Sequence, residues 1–287
     1  MRNMKPPLPF VGHKGPWGSE LTEIARKLPQ NCAVFDVFGG SGICAQCFKR
    51  ARPDLNVVWN DFDNYLARLD NAEHTENLRQ LFLENLGRPV KKNTFVPPLS
   101  PEHRQFVFDT IRGQLADCGF VDFQTVSRWF YLYSMKTYKL MSFTGKLYNR
   151  VPVVPLRLDA CKSWLSGVCR NSVTFSGLDT PFNIFGVKTP PRSFVESQDA
   201  LFIFDPPYLG TGCNDYGNKE ALKCLDGICE CCDRLPFLLF GDSSISFWYE
   251  RMFRGRHVVK YEKTINNIGM NHERRTEVLF ACLPWDG

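Results

Sequence analysis

The segment Asp205-Pro206-Pro207-Tyr208 directly follows the apolar run Ala200–Phe204, which predicts a buried strand. Two consecutive prolines keep the chain extended and have no N–H groups, so their carbonyls act purely as acceptors. The Asp205 carboxylate and the Pro206 carbonyl then offer two acceptors to one amino group, and the Tyr208 ring offers a stacking face to a planar base. A proline turn that merely ends a strand explains the same residues equally well, so both interpretations stay open.

A second candidate site is the glycine-rich segment Asp36-Val37-Phe38-Gly39-Gly40-Ser41-Gly42, which follows another apolar run and precedes a helical pattern. Glycines allow a sharp turn and a close approach of the backbone to a ligand. Asp61 comes 19 residues after Gly42 (61 − 42), at the end of the next predicted strand. A carboxylate at this position can accept hydrogen bonds from ribose hydroxyls. The spacing favours a nucleoside site over the alternative, in which Asp61 only begins a helix cap.

Apolar runs alternate with helical patterns along most of the chain, which predicts an α/β fold with a doubly wound, parallel sheet. The predicted strands are Ala33–Phe38, Asn56–Trp59, Ser172–Phe175, Ala200–Phe204, Phe237–Phe240 and Val278–Leu283, and the predicted helices include Ser19–Leu28, Tyr65–Leu83 and Lys219–Arg234. From about residue 65 the pattern is helical, polar and basic. We therefore expect a discontinuous domain formed by residues 1–64 and 171–287, with a helical subdomain inserted at residues 65–170.

The stretch Gln124–Arg157 concentrates positive charge in a chain whose net charge is only +5. It contains no Asp or Glu, and its basic residues are Arg128, Lys136, Lys139, Lys146, Arg150 and Arg157. Aromatic residues lie between them, from Trp129 to Tyr148. This combination suits phosphate contacts and base stacking. The alternative is a helical subdomain whose aromatic side chains form its core, and we expect most of them to do so.

The 12 cysteines are interpreted as reduced thiols of a cytoplasmic protein. A zinc site at Cys44 and Cys47, or in the cluster from Cys224 to Cys232, is the alternative; because two separated CxxC pairs are missing, we expect no metal. No apolar run reaches the roughly 18 residues of a membrane span. The N-terminal residues lack the apolar segment of a signal peptide. We expect a monomer.

The order of these motifs resembles the Dam-type family of DNA adenine-N6 methyltransferases, the class α or D12 group. Asp205–Tyr208 resembles the catalytic Asp-Pro-Pro-Tyr of that family, Phe35–Gly42 its glycine-rich motif, and Asn60-Asp61 its ribose-binding acid. Further similar segments are Pro9–Gly15, Gly145–Pro152, Val173–Asp179, Phe237–Asp242 and Thr276–Leu279. The likeness spans nearly the whole chain.

The resemblance implies a Rossmann-like methyltransferase that moves a methyl group from S-adenosylmethionine to N6 of an adenine flipped out of double-stranded DNA. Asp205, Pro206, Pro207 and Tyr208 would carry catalysis. The implied cofactor residues are Phe10, Lys14, Asp36, Phe38, Gly39, Gly40, Gly42, Asp61 and Asp179. The implied DNA contacts are Arg128, Lys136, Lys139, Lys146, Asn149, Arg150, Arg274 and Arg275, mostly in the insertion, which would be the recognition subdomain.

Within this resemblance Lys14 and Asp36 are expected near the amino-acid moiety of the cofactor, Asp61 at the ribose and Asp179 at the adenine amino group. The same chemistry on cytosine N4 or on RNA is one alternative, although the cytosine enzymes usually carry Ser in place of Asp205. A non-catalytic nucleic-acid-binding relative is another. The segment Leu209–Lys219 is either a lid or a flexible connection, and Asn266–Arg275 either contacts DNA phosphates or is a solvated hairpin. Whether a restriction enzyme accompanies the protein stays open.

Overall fold

The computed structural model describes residues 4–10, 12–61, 63–89, 96–131, 146–171, 200–206, 228–229, 231–233, 235–266 and 274–283. The chain divides into two compact units, which we call the sheet unit and the helical unit. The sheet unit comprises Met1–Pro6, Gly12–Tyr65 and Leu165–Gly287, and the helical unit comprises Pro7–Val11 and Leu66–Trp164. Compared with the predicted boundaries, the helical unit also takes in Pro7–Val11.

Within the described part of the chain, seven strands form one sheet in the order β3-β2-β1-β4-β5-β7-β6. They are β1 Ala33–Asp36, β2 Asn56–Asn60, β3 Cys169–Asn171, β4 Ala200–Phe204, β5 Phe237–Asp242, β6 Val259–Asn266 and β7 Arg274–Cys282. The first five strands run parallel, whereas β7 is antiparallel to both β5 and β6. The predicted α/β, Rossmann-like fold is confirmed. The antiparallel pairing and β6 itself depart from the predicted parallel sheet.

The helices of the sheet unit whose bounds lie within the described residues are α1 Gly18–Lys27, α2 Ile43–Ala51 and, after β5, α8 Ser246–Met252. Helix α3 Tyr65–Asp70 begins at the junction of the units, and α4 Ala72–Leu86, α5 Pro101–Cys118, α6 Phe123–Phe130 and α7 Leu158–Ser163 belong to the helical unit. The single helix predicted over Tyr65–Leu83 is interrupted at Asn71. Within the described ranges, no helix is both long and apolar enough to cross a membrane.

Two predicted elements fall mostly beyond the described residues. The predicted strand Ser172–Phe175 lies outside them, and β3 ends immediately before it at Asn171. Of the predicted helix Lys219–Arg234, the structure describes residues 228–229 and 231–233, which are helical.

Strand β4 lies in the middle of the sheet and is buried at all five of its positions. This burial explains the continuous apolar run of β4 in the sequence, because a parallel strand covered on both faces needs apolar side chains throughout. Alternate residues of neighbouring strands, such as Phe202 and Phe204 of β4 with Phe237 and Leu239 of β5, contribute to one hydrophobic cluster.

Arg68 connects separate segments of the helical unit. Its Nε lies 2.9 Å from Oδ1 of Asp122, and its Nη2 donates to the Pro9 carbonyl at 2.7 Å. The Asp122 carboxylate in turn caps α6 by accepting from the backbone N–H of Thr125 at 3.1 Å. Both charged side chains are almost completely buried. Each therefore depends on the other to offset the cost of removing its charge from water.

Replacing Arg68 by Ala is expected to destabilise the helical unit by about 3–5 kcal/mol, because the buried Asp122 carboxylate would lose its counter-charge. The matched control is Arg112→Ala in the same unit, whose guanidinium lies 3.6 Å from Asp109 with both side chains more than half exposed. That pair should contribute less than about 1 kcal/mol. Urea unfolding followed by far-UV circular dichroism measures both, and equal losses would contradict this account of Arg68.

Candidate active site

Three aspartates stand at the carboxyl ends of adjacent parallel strands. Asp36 is the last residue of β1, Asp61 directly follows β2, and Asp205 directly follows β4. Because β2, β1 and β4 are parallel neighbours, these ends meet at one edge of the sheet. The strand order reverses between β1 and β4. Open α/β sheets bind their ligands in the crevice beside such a switch point.

The ammonium of Lys14 forms an ion pair with Asp205. Its Nζ lies 2.7 Å from Oδ2 of Asp205 and donates to the Gly12 carbonyl at 3.0 Å. It also lies 5.3 Å from the centroid of the Phe240 ring, within the range of a cation–π contact. The Lys14 side chain is 4% exposed, whereas that of Asp205 is 20% exposed. The buried lysine therefore holds the Asp205 carboxylate in position, while the Asp205 side chain stays partly exposed to solvent at the sheet edge.

The segment that contains Lys14 is held in place by contacts with the antiparallel strands β6 and β7. The 3-10 helix Gly15–Trp17 follows Lys14, and the indole N–H of Trp17 donates to Oε2 of Glu277 in β7 at 3.0 Å. Lys263 of β6 lies 5.1 Å from the Trp17 ring centroid. At Gly15 a Cβ would come within 2.1 Å of the Met4 carbonyl oxygen, so only glycine fits. These contacts direct Lys14 toward Asp205.

Asp36 is a buried acid beside this ion pair. Its Oδ2 accepts a hydrogen bond from the backbone N–H of Ala45 in α2 at 3.1 Å. Burial, together with the charge of Asp205, raises the pKa of Asp36 to about 7, although the Ala45 N–H and Lys14 act to lower it. Asp36 thus changes its charge near neutral pH, which an ordinary aspartate does not.

The glycine-rich turn links β1 to α2. Gly40 and Gly42 have positive φ angles of 48° and 71°, and the Gly39 carbonyl accepts from the Gly42 N–H at 2.6 Å. A Cβ on Gly39 would lie 2.1 Å from the Trp59 ring, and one on Gly42 would lie 2.5 Å from the Leu165 side chain. Contacts within the protein therefore already require glycine at both positions, independently of any ligand.

Asp61 is fully buried and has protein partners on both carboxylate oxygens. Oδ1 accepts from the backbone N–H of Tyr65, where α3 begins, at 2.5 Å. Oδ2 lies 3.1 Å from Nε and 3.0 Å from Nη2 of Arg170. The hydrogen bond from Tyr65 agrees with the alternative in which Asp61 begins a helix cap. The binding of ribose by Asp61 stays a prediction. Sequence reasoning missed Arg170, whose β3 position opposite Trp59 of β2 becomes visible only through the strand pairing.

The described residues predicted to contact DNA differ in their exposure and in their hydrogen-bond partners. Lys146 is exposed. The Asn149 amide instead donates to two carbonyls at the end of α4, at 3.1 and 3.0 Å, and the Arg150 guanidinium donates to the Tyr131 carbonyl at 2.7 Å. Arg128 is half-buried, and burial lowers its pKa. Asn149 and Arg150 therefore brace the helical unit, and their DNA contacts stay predictions.

Two of the remaining predicted site residues are described, and the others are not. Phe38 is half-buried in the glycine-rich turn, and Phe10 is half-buried in the helical unit's segment Pro7–Val11. Lying outside the described residues are Pro207, Tyr208, Asp179, Lys136, Lys139, the segment Leu209–Lys219, and the side chains of Arg274 and Arg275.

The cysteine pair considered for zinc lies within α2 and is buried. Burial raises the pKa of the Cys47 thiol to about 12. Among the residues that the structure describes, no group of three His, Cys, Asp or Glu side chains is arranged to hold a metal ion.

Comparison with known proteins gives one informative similarity. No protein-family model matches the chain. A protein of Haemophilus influenzae, provisionally named a methyltransferase, is 26% identical over 225 residues, which cover 77% of this chain and 69% of the relative.

The pKa of Asp36 makes stability depend on pH. Because it rises from 3.8 in an unfolded chain to about 7 in the fold, the folded state binds more protons between these values. The free energy of unfolding should therefore fall as pH rises through this window, by at most about 1.4 kcal/mol per pH unit. Asp36→Asn removes this contribution. Urea unfolding of both proteins from pH 4 to pH 8 should show a stability difference that changes up to about pH 7 and then levels; a constant difference would contradict the assignment.

Proposed function

We propose that the chain is an S-adenosylmethionine-dependent methyltransferase that methylates N6 of adenine in double-stranded DNA. The observation that carries the proposal is the Asp205 carboxylate, held 2.7 Å from a buried lysine at the switch point of the sheet. The similarity to the Haemophilus influenzae methyltransferase supports methyl transfer. The sequence Asp205-Pro206-Pro207-Tyr208 supports an amino group of adenine as the acceptor.

The residues at this edge fit the chemistry of the cofactor. S-adenosylmethionine carries a sulfonium, an α-amino group and ribose hydroxyls, and all of these are bound well by carboxylates. Asp36 and Asp61 provide two carboxylates for these groups at adjacent strand ends. When bound, the cofactor supplies a methyl group on a sulfonium that is a good leaving group.

In the proposed mechanism Asp205 and the Pro206 carbonyl accept the two N–H groups of the adenine amino group. Hydrogen bonds to these acceptors orient N6 and localise its lone pair for direct attack on the methyl carbon. The positive charge that develops on N6 is stabilised by the negative charge of Asp205, because this acceptor is already in position before the reaction. Lys14 positions the carboxylate through the ion pair with its Oδ2. The methylated amino group then loses one proton, for which Asp205 is an acceptor.

A paired adenine cannot bring N6 to this edge, so the target base must leave the duplex. In the proposal the basic residues of the helical unit, among them the exposed Lys146, bind the phosphates. This part is tested by salt: each lost phosphate contact should lower the slope of log K against log salt by about 0.9.

Asp205→Ala should lower the rate of methyl transfer by about 100-fold or more, because it removes the preorganised acceptor. The dissociation constant for S-adenosylmethionine, measured by calorimetry, should change little. Transfer of a tritiated methyl group to unmethylated DNA measures the rate. The matched control is Asp233→Ala, which removes an exposed carboxylate of the same unit.

Near-normal turnover of Asp205→Ala would contradict the proposed mechanism. Cofactor binding by the wild-type chain without transfer to DNA would contradict the proposed reaction. Parallel assays with RNA and with DNA whose adenines are replaced identify transfer to RNA or to cytosine, and either result would correct the acceptor.

The rate of methyl transfer should rise with pH through about 7, following ionisation of Asp36. Above this pH the ionised aspartate binds the α-amino group of the cofactor more tightly, which raises the rate at sub-saturating S-adenosylmethionine. Asp36→Asn should remove this rise and keep the rate near the low-pH level of the wild type. Single-turnover rates from pH 6 to pH 9 provide the measurement. A pH profile of the variant identical to that of the wild type would show that another group titrates.

A further inference from the structure

Helix α8, Ser246–Met252, presents two large aromatic side chains to solvent. Phe247 is 60% exposed and Trp248 is 63% exposed. Their rings form an edge-to-face pair with centroids 6.1 Å apart. On the opposite side of the helix Tyr249 is buried in the hydrophobic cluster of the sheet. Adjacent exposed aromatic residues of this size indicate a binding surface, because burying them on a partner is favourable.

The surroundings of this aromatic pair are positively charged. Arg251 and Arg254 are both exposed, and Arg251 follows Phe247 by one helical turn. Glu250 is the single acidic residue between positions 246 and 260, and Lys260 pairs with it at 2.6 Å. Within the described part of the chain, no carboxylate pairs with Arg251 or Arg254. The face therefore combines flat aromatic rings with cationic groups and complements an anionic partner that has planar groups.

The strand register connects the helix that carries this face to the sheet edge of the candidate active site. In the pairing of β4 with β5, Phe204 lies opposite Leu239, so the following residues Asp205 and Phe240 continue side by side. The Lys14 ammonium contacts both of them. Strand β5 ends at Asp242, and α8 begins after the short 3-10 helix Ser243–Ile245. Helix α8 thus starts from the sheet edge at which Asp205 stands.

We propose that the face formed by Phe247, Trp248, Arg251 and Arg254 is a docking surface for unpaired DNA bases next to the target adenine. This inference rests on the proposed function. Aromatic side chains stack on single-stranded bases, and arginines bind the phosphates between them. In a fully paired duplex the base faces are stacked and inaccessible, whereas extrusion of an adenine leaves an unstacked partner and neighbours.

The test measures binding of fluorescein-labelled DNA by anisotropy with the full chain. Three probes of one sequence are used: a single strand, its fully paired duplex, and the duplex with a short adenine-containing bulge. Trp248→Ala should bind the single strand and the bulged duplex about tenfold more weakly, with little change for the paired duplex. Trp248→Tyr, which keeps a stacking ring, should recover most of the affinity. Arg251→Ala should lower the salt slope on the single strand by about 0.7.

Two surface substitutions provide matched controls. Val154→Ala truncates an apolar side chain that is 74% exposed, and Arg26→Ala removes an exposed arginine of α1. Both should bind all probes as the wild type does. Thermal unfolding by circular dichroism confirms that each variant is folded.

The proposal is overturned if Trp248→Ala binds every probe as the wild type does, or loses affinity equally for the paired duplex. It is also overturned if light scattering shows a self-association that Trp248→Ala abolishes, or if RNA of the same sequence binds more tightly through Trp248. Unchanged binding by Trp248→Ala, together with normal methylation of DNA by the wild type, refutes the surface and leaves the proposed function intact. If the wild type neither binds nor methylates the probes, both fail.

Discussion

The ammonium of Lys14 is buried at the edge of a parallel sheet, where an unpaired charge would be very costly. The Asp205 carboxylate supplies the counter-charge that stabilises the buried ammonium. Lys14 in turn holds the partly exposed Asp205 side chain in its position at the sheet edge. The surrounding contacts follow from this constraint. Trp17 donates a hydrogen bond to Glu277, and Gly15 leaves room for the Met4 carbonyl. Both contacts hold the segment in place, and a displacement of the segment would separate Lys14 from its counter-charge. One ion pair therefore connects the N-terminal segment to the strand that carries the candidate catalytic residue.

The same constraint sets the charge of the site. Lys14 and Asp205 together are neutral, so the net charge of the edge is decided by the proton on Asp36. A methyl transfer from a sulfonium to an amino group moves one positive charge between two ligands without changing the total. In the proposed reaction a negative charge therefore accelerates the step only where it lies closer to the amino group than to the sulfonium, as Asp205 does in the proposed mechanism.

The sequence predicted the sheet best where a strand is buried on both faces. All five residues of β4 are apolar and buried, so periodicity located it correctly. Strand β6 was missed because it alternates exposed charged residues, such as Lys260 and Glu262, with half-buried ones at the sheet edge. The Lys14–Asp205 and Asp61–Arg170 pairs join residues far apart in the chain, and their contact depends on strand order, which single residues do not encode. The glycines of the turn were located correctly, but the contacts with Trp59 and Leu165 supply a reason that spacing could not.

Aromatic residues show most clearly why composition alone cannot assign a nucleic-acid surface. The basic stretch Gln124–Arg157 is rich in them, yet Trp129, Phe130 and Tyr131 are buried in the core of the helical unit. Burial leaves no ring face for a base. In the sequence Phe247 and Trp248 stand close to Tyr249 and Phe253, and the residue types do not distinguish the exposed rings from the buried ones. In the structure Phe247 and Trp248 are exposed, whereas Tyr249 and Phe253 are buried in the hydrophobic cluster. Among the described residues, the large aromatic side chains that are exposed therefore lie on α8, and exposure locates a candidate stacking surface where composition does not.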